Sequence, residues 1–198
     1  MKTNKDKLIK MAVMGEIVHP TGGASYGVDF DGTPRVGLGM YGVKYNVTVG
    51  DPIYGWESGE HVEPGLSIRN TETGQSAALD TLACIGNEIS VRTGDARGAK
   101  GYIIGKHVSF LVWLNDEDQR KVNIGDKLQV KAWGVGLKIE GFEETVRVNK
   151  IDPDLLEKMG ITVEEGKLVV PVTSEYPAHI MGSGYGMTPN VDYDIQTT

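Results

Sequence analysis

The chain has 198 residues, of which 39% are hydrophobic and 24% charged, and it carries a net charge of −7 and 27 glycines. That length is enough to bury a real core, and the acidic balance disfavours a protein that binds nucleic acid or membrane with its whole surface. A single cysteine excludes an internal disulfide framework and fits a reducing compartment.

The N-terminal residues 1–10 are rich in lysine, and Gly15, Glu16 and His19 interrupt the apolar stretch behind them. Neither a signal peptide nor a membrane span is expected, and the cytoplasm is the expected location. Residues 5–13 suit either a short helix or a strand. Short apolar runs then follow at 11–18, 43–49, 89–91, 102–104, 108–114, 127–133, 145–148 and 167–172, many with β-branched or aromatic residues at period two. Gly-Asp pairs at Gly50-Asp51, Gly94-Asp95 and Gly125-Asp126 stand beside such runs, as turn chemistry requires. One helix stands out at 152–160, with Asp152 as N-cap, Pro153 in the first turn, Gly160 as terminator, and Leu155, Leu156 and Met159 as its apolar stripe.

The expected fold is therefore mainly β and barrel-like, with an SH3/KOW-like hairpin region and one or two short helices. A single β-rich domain is expected over 1–184, with an SH3-like sub-barrel at about 86–134. The polar residues 185–198 read as a tail or linker.

Four groups of residues could carry chemistry. His61 and Glu63, two apart, project from one face of an extended segment as metal ligands would, and His107 is a further ligand for that metal. Cys84 is a candidate nucleophile that needs a neighbouring cation or histidine to lower its pKa. Asp95, Arg97, Lys106 and His107 fall in a locally basic stretch. There Lys106 and Arg97 suit a phosphate or carboxylate, and Asp95 and His107 suit acid–base work. Gly182, Ser183 and Gly184 offer backbone amides to an anion, with His179 as acid, base or ligand. No P-loop, Rossmann or nucleophile-elbow pattern is complete.

The segments Tyr54-Gly55-Trp56, His61-Val62-Glu63-Pro64-Gly65, Cys84-Ile85-Gly86-Asn87-Glu88, Gly105-Lys106-His107, Lys131-Ala132-Trp133-Gly134, Ile151-Asp152-Pro153-Asp154-Leu155 and Met181-Gly182-Ser183-Gly184 run in order along nearly the whole chain. In these the chain resembles the DUF4438 family, a bacterial and archaeal family with no established activity. The resemblance implies a further β-rich region after Asp192-Tyr193-Asp194-Ile195, which this chain is expected to lack. The chain is then expected to be a fragment, a processed piece or a natural short form, or to have its site completed by another chain.

The expected function is a small-molecule site, worked as a metal-assisted hydrolase or lyase, with a divalent metal as the candidate cofactor. A loose likeness in strand-and-glycine style to acetamidase/formamidase-like hydrolases points the same way. The alternative is a non-enzymatic binding or structural assembly subunit, in which the KOW-like hairpin contacts RNA or protein. Expected partners are a small-molecule ligand and either further copies of the chain or a C-terminal partner chain. Membrane is excluded and nucleic acid disfavoured.

Overall fold

The computed structural model describes residues 1–19, 26–28, 32, 34–36, 42–45, 65–107 and 109–172. A 3-10 turn at Lys5–Lys7 leads into β1 (Met11–Ile17), which settles the ambiguous N-terminal segment as a turn followed by a strand. The further elements are β2 (Tyr26–Val28), β3 (Pro34–Val36), β4 (Val43–Lys44), β5 (Gly65–Arg69), α1 (Thr73–Leu82), β6 (Glu88–Val91), β7 (Lys100–His107) and β8 (Ser109–Trp113). They are followed by α2 (Asp116–Gln119), β9 (Lys127–Ala132), α3 (Pro153–Lys158), β10 (Thr162–Glu164) and β11 (Lys167–Val169).

Strands β1, β9, β6, β7, β8 and β5 are hydrogen-bonded in that order, every pair antiparallel, and β5 returns to β1. The result is a closed six-stranded antiparallel barrel, to which the two-residue β4 is added along β5. Closure removes the open edges that a flat sheet would present to other chains. β6 to β9 supply four of the six staves, so residues 86–134 do not close on themselves as a sub-barrel.

The alternation expected from the sequence fills the barrel. Val13 and Ile17 of β1, Leu66 and Ile68 of β5, Ile89 and Val91 of β6, Ile103 of β7, Phe110 and Val112 of β8, and Leu128, Val130 and Ala132 of β9 form one buried cluster. Each fully buried aliphatic or Phe side chain contributes about 1.5–3 kcal/mol relative to exposure. At Gly101 a Cβ would collide with the main-chain oxygen of Trp113, so the tight β7–β8 approach leaves room for nothing larger than glycine. Two Gly-Asp turns meet at one point. Gly94 adopts φ +73°, and the carboxylate of Asp126 folds against it, accepting from Asn123 N (2.8 Å) and Thr93 Oγ1 (3.3 Å).

α1 is capped by the Glu72 carboxylate, which accepts from Gly74 N and Gln75 N, and it buries Leu79 in the barrel cluster. A second cluster beside the barrel joins Leu137, Ile139 and Leu156 with Leu8, Val146, Val148 and Ile151. Residues 145–148 form turns and irregular backbone rather than the expected strand. Their valines serve this second cluster from a loop. α3 matches the sequence expectation, with the Asp152 carboxylate accepting from Asp154 N (2.8 Å) and Leu155 N (3.3 Å). Its stripe is narrower than expected. Leu156 is buried and Leu155 half-buried, but Met159 is exposed because the six-residue helix ends before the next turn could face the core.

Candidate functional site

The segment 84–87 between α1 and β6 lies against the loop after β9 and the start of α3. Asn87, fully buried, organises this junction with four hydrogen bonds. Its Oδ1 accepts from Cys84 N (2.8 Å) and Trp133 N (3.2 Å), and its Nδ2 donates to Trp133 O (2.7 Å) and Asp152 Oδ2 (2.9 Å). Asp152 uses its other oxygen to cap α3, so one carboxylate ties the helix to the barrel. Every polar atom of the amide side chain is used, which is the condition for a buried polar group to be stable. Ile85 continues the tie by exchanging main-chain hydrogen bonds with Lys150 and Asp152.

On the other side of this junction is a cleft of about 450 Å³. Its wall is built by Asp80 and Thr81 at the end of α1, Lys106 of β7, Gly134 to Gly136 of the loop after β9, and Val148 to Lys150. That volume lies within the range of sites for small organic ligands. Gly134 fits here only as glycine. Its φ is +131°, and a Cβ would run into Ile151 O on one side and lie 3.1 Å from Cys84 Sγ on the other.

Two lysines reach this cleft and do different work. Lys150, at φ +54°, turns its Nζ onto the C-terminus of α1 and donates to the main-chain oxygens of Asp80, Thr81 (2.8 Å) and Ala83 (3.5 Å). An ammonium there satisfies carbonyls that the helix leaves open and meets its negative pole. Burial is the chief reason its pKa falls below the ordinary lysine value, and the nearby Lys106 charge adds to the fall. Lys106 is different. Its side chain is only 10% exposed, and its Nζ lies 3.6 Å from Asp80 Oδ1, an ion pair too long for a hydrogen bond. The Phe110 ring centroid lies 5.6 Å from the same nitrogen. Among the described residues, no hydrogen-bonded acceptor meets this ammonium.

The residues singled out in the sequence do not all gather at one place. Lys106 lines the cleft. Cys84 lies behind Gly134, fully buried, and burial pushes its thiol up to about 11, the opposite of the lowering that an attacking thiolate needs. Asp95 and Arg97 are exposed in the turn between β6 and β7 and do not line the cleft. His107 ends β7, where its backbone pairs with Ser109. His61, Glu63, His179, Gly182, Ser183 and Gly184 lie outside the described residues. Among the described residues, no group of three or more His, Cys, Asp or Glu is placed to hold a metal ion, and no helix is long and apolar enough to cross a membrane. Asp80 and Lys150 were not singled out from the sequence. Asp80 belongs to a helix without an evident sequence signature, and Lys150 reaches the cleft through a backbone conformation that sequence does not announce.

Two family models match the chain, the N-terminal domain of DUF4438 over residues 26–157 and the C-terminal domain of DUF4438 over residues 158–198. The chain belongs to this family, described as a domain of unknown function. The second match corrects the expectation that the family's C-terminal region is missing. That region begins at residue 158, at the end of α3, and includes the β10–β11 hairpin. The boundary expected at residue 185 lies outside the described residues. A solved structure titled "Crystal structure of TM1086" is similar along the whole chain, at 46% identity and a TM-score of 0.84, and the match spans 71% of that protein. No curated protein matches the chain.

Proposed function

We propose that this DUF4438-family protein binds a small anionic molecule in the cleft between α1, β7 and the loop after β9, with Lys106 as the residue that holds it. One observation carries the reading: Lys106 is nine-tenths buried, yet among the described residues the charged partner of its ammonium is one carboxylate, beyond hydrogen-bond distance. Burying a lysine costs free energy unless the charge is paired and hydrogen-bonded. Lys150 shows the satisfied alternative next to it, with its ammonium directed at main-chain oxygens. A charged oxygen entering the cleft would complete the coordination of Lys106 with a short, charge-assisted hydrogen bond.

The hydrolase or lyase chemistry expected from the sequence depended on His61, Glu63, His107 and His179 converging, with Asp95 as a further ligand or base. The cleft draws its support from other residues, so binding is the conclusion and the reaction is not assigned. Isothermal titration with a set of small carboxylates and phosphate esters tests the reading. The expected result is saturable binding by the wild-type chain and its loss in Lys106→Met, with the two proteins giving superimposable circular dichroism spectra. Equal binding by both proteins, or none by either, would remove Lys106 from the role.

A further inference from the structure

We infer that the ligand of this cleft is a singly charged carboxylate on a compact apolar body, and not a phosphate dianion. The inference rests on the reading of the cleft as an anion site and deepens it.

The charge balance is the first argument. Among the described residues lining the cleft, the charged groups are Lys106, Lys150 and Asp80, two cations and one anion. Lys150 donates its hydrogen bonds to the C-terminal carbonyls of α1, which are neutral groups and leave its charge in the count. Counted together the three groups leave one net positive charge, with the Asp80 carboxylate 3.6 Å from Lys106 Nζ. A monoanion brings that arrangement to neutrality. A dianion would place a second negative charge beside Asp80, where no further cation among the described residues lining the cleft answers it.

The second argument is the polarity of the backbone. Phosphate groups are characteristically held at helix N-termini, where free amides and the positive pole converge. The helix end that borders this cleft is the C-terminus of α1, with Asp80 and Thr81 in its last turn. Lys150 caps that end, and among the described residues lining the cleft no helix N-terminus offers free amides to a phosphate.

The third argument concerns the rest of the wall. Val135 is half exposed, Val148 is half-buried, and the glycines on either side of Val135 add no polar side chain. The two valines suit a hydrocarbon or aromatic body, with Thr81 and Asn149 as the uncharged polar side chains of the wall.

Three probes that share one aromatic body test the inference: benzoate, phenyl phosphate at mildly alkaline pH where it is doubly charged, and benzamide. Titration of the full chain should show benzoate binding more tightly than phenyl phosphate by roughly tenfold or more, with benzamide undetected. Phenyl phosphate binding as tightly as benzoate would overturn the monoanion inference and leave the anion site standing. If no anion bound, the underlying reading would fail instead. Asp80→Asn supplies the second arm, because its exposed side chain can change without touching the main-chain oxygen held by Lys150. Removing that carboxylate should shift the preference toward phenyl phosphate by roughly fivefold or more. An unchanged preference would show that the charge balance does not set the selectivity, and the inference would fall.

Discussion

Two polar clusters sit back to back at this end of the barrel, and they differ in one respect. Around Asn87, the buried amide makes four hydrogen bonds to the main chain and to Asp152. Around Lys106, a side chain of comparable burial ends at a carboxylate 3.6 Å away. Saturated polar groups fix geometry, because breaking any one bond strands a buried partner. Groups with spare capacity are where something else can bind. The same contrast holds between the two lysines of the cleft, one directed at carbonyls and the other not. On the proposed reading, burial alone does not mark a ligand-binding residue; burial without a hydrogen-bonded partner among the described residues does.

That comparison can be broken most severely at Asn87. Asn87→Ala leaves the amides of Cys84 and Trp133 and one Asp152 oxygen without their buried partner, at about 1–3 kcal/mol for each group that water cannot reach. Urea unfolding should show a loss of roughly 3 kcal/mol or more. A loss below about 1 kcal/mol would mean that the network is not what joins α3 to the barrel. Lys150→Met comes next. It strips a cation from the end of α1 and should cost about 1–3 kcal/mol by the same measurement. Stability equal to wild type would contradict its role as the cap of that helix end.

Lys106→Met should cost less, within about 1 kcal/mol of wild type, because it removes a long ion pair and a buried charge together. Its effect should appear in ligand titration instead. If Lys106→Met proved as destabilising as Lys150→Met, the distinction between the two lysines would be lost.

The smallest effect concerns Cys84. Its pKa is raised from 9.0 to about 11 chiefly by burial. The unfolded chain therefore loses this proton at lower pH than the folded one, and the contribution of Cys84 to stability declines as pH rises from about 9 toward about 11. Cys84→Ala should lack that decline, as seen by comparing urea midpoints of the two proteins across the window. In the native state near neutral pH, iodoacetamide should label Cys84 only through unfolding, whereas ready labelling would show a thiol more accessible than its burial implies.

Much of the barrel was legible in the sequence because its strands bury one face each. Residues 11–18, 89–91, 108–114 and 127–133 alternate clearly and match β1, β6, β8 and β9 closely. Asp152-Pro153 announced α3 for an equally local reason, a capping carboxylate followed by proline. The element that matters most for the cleft was not legible. α1 begins Thr-Gly-Gln-Ser, residues with modest helix propensity, and takes its cap from Glu72, which is not among the preferred capping types. Missing α1 meant missing Asp80 and the carbonyls that hold Lys150. Lys106 was legible as a cation in a glycine-rich stretch, but its burial was not, because that depends on segments far away in sequence. Of the histidine-based site, His107 ends β7, while His61, Glu63 and His179 lie outside the described residues.

The most direct measurement is a crystal structure of the full chain with para-bromobenzoate, using the anomalous signal of bromine to place the ligand without bias. The account predicts a bromine peak in the cleft beside Val135 and Val148, with the carboxylate about 3 Å from Lys106 Nζ. A ligand bound elsewhere, or seated in the cleft with its carboxylate turned away from Lys106, would contradict it.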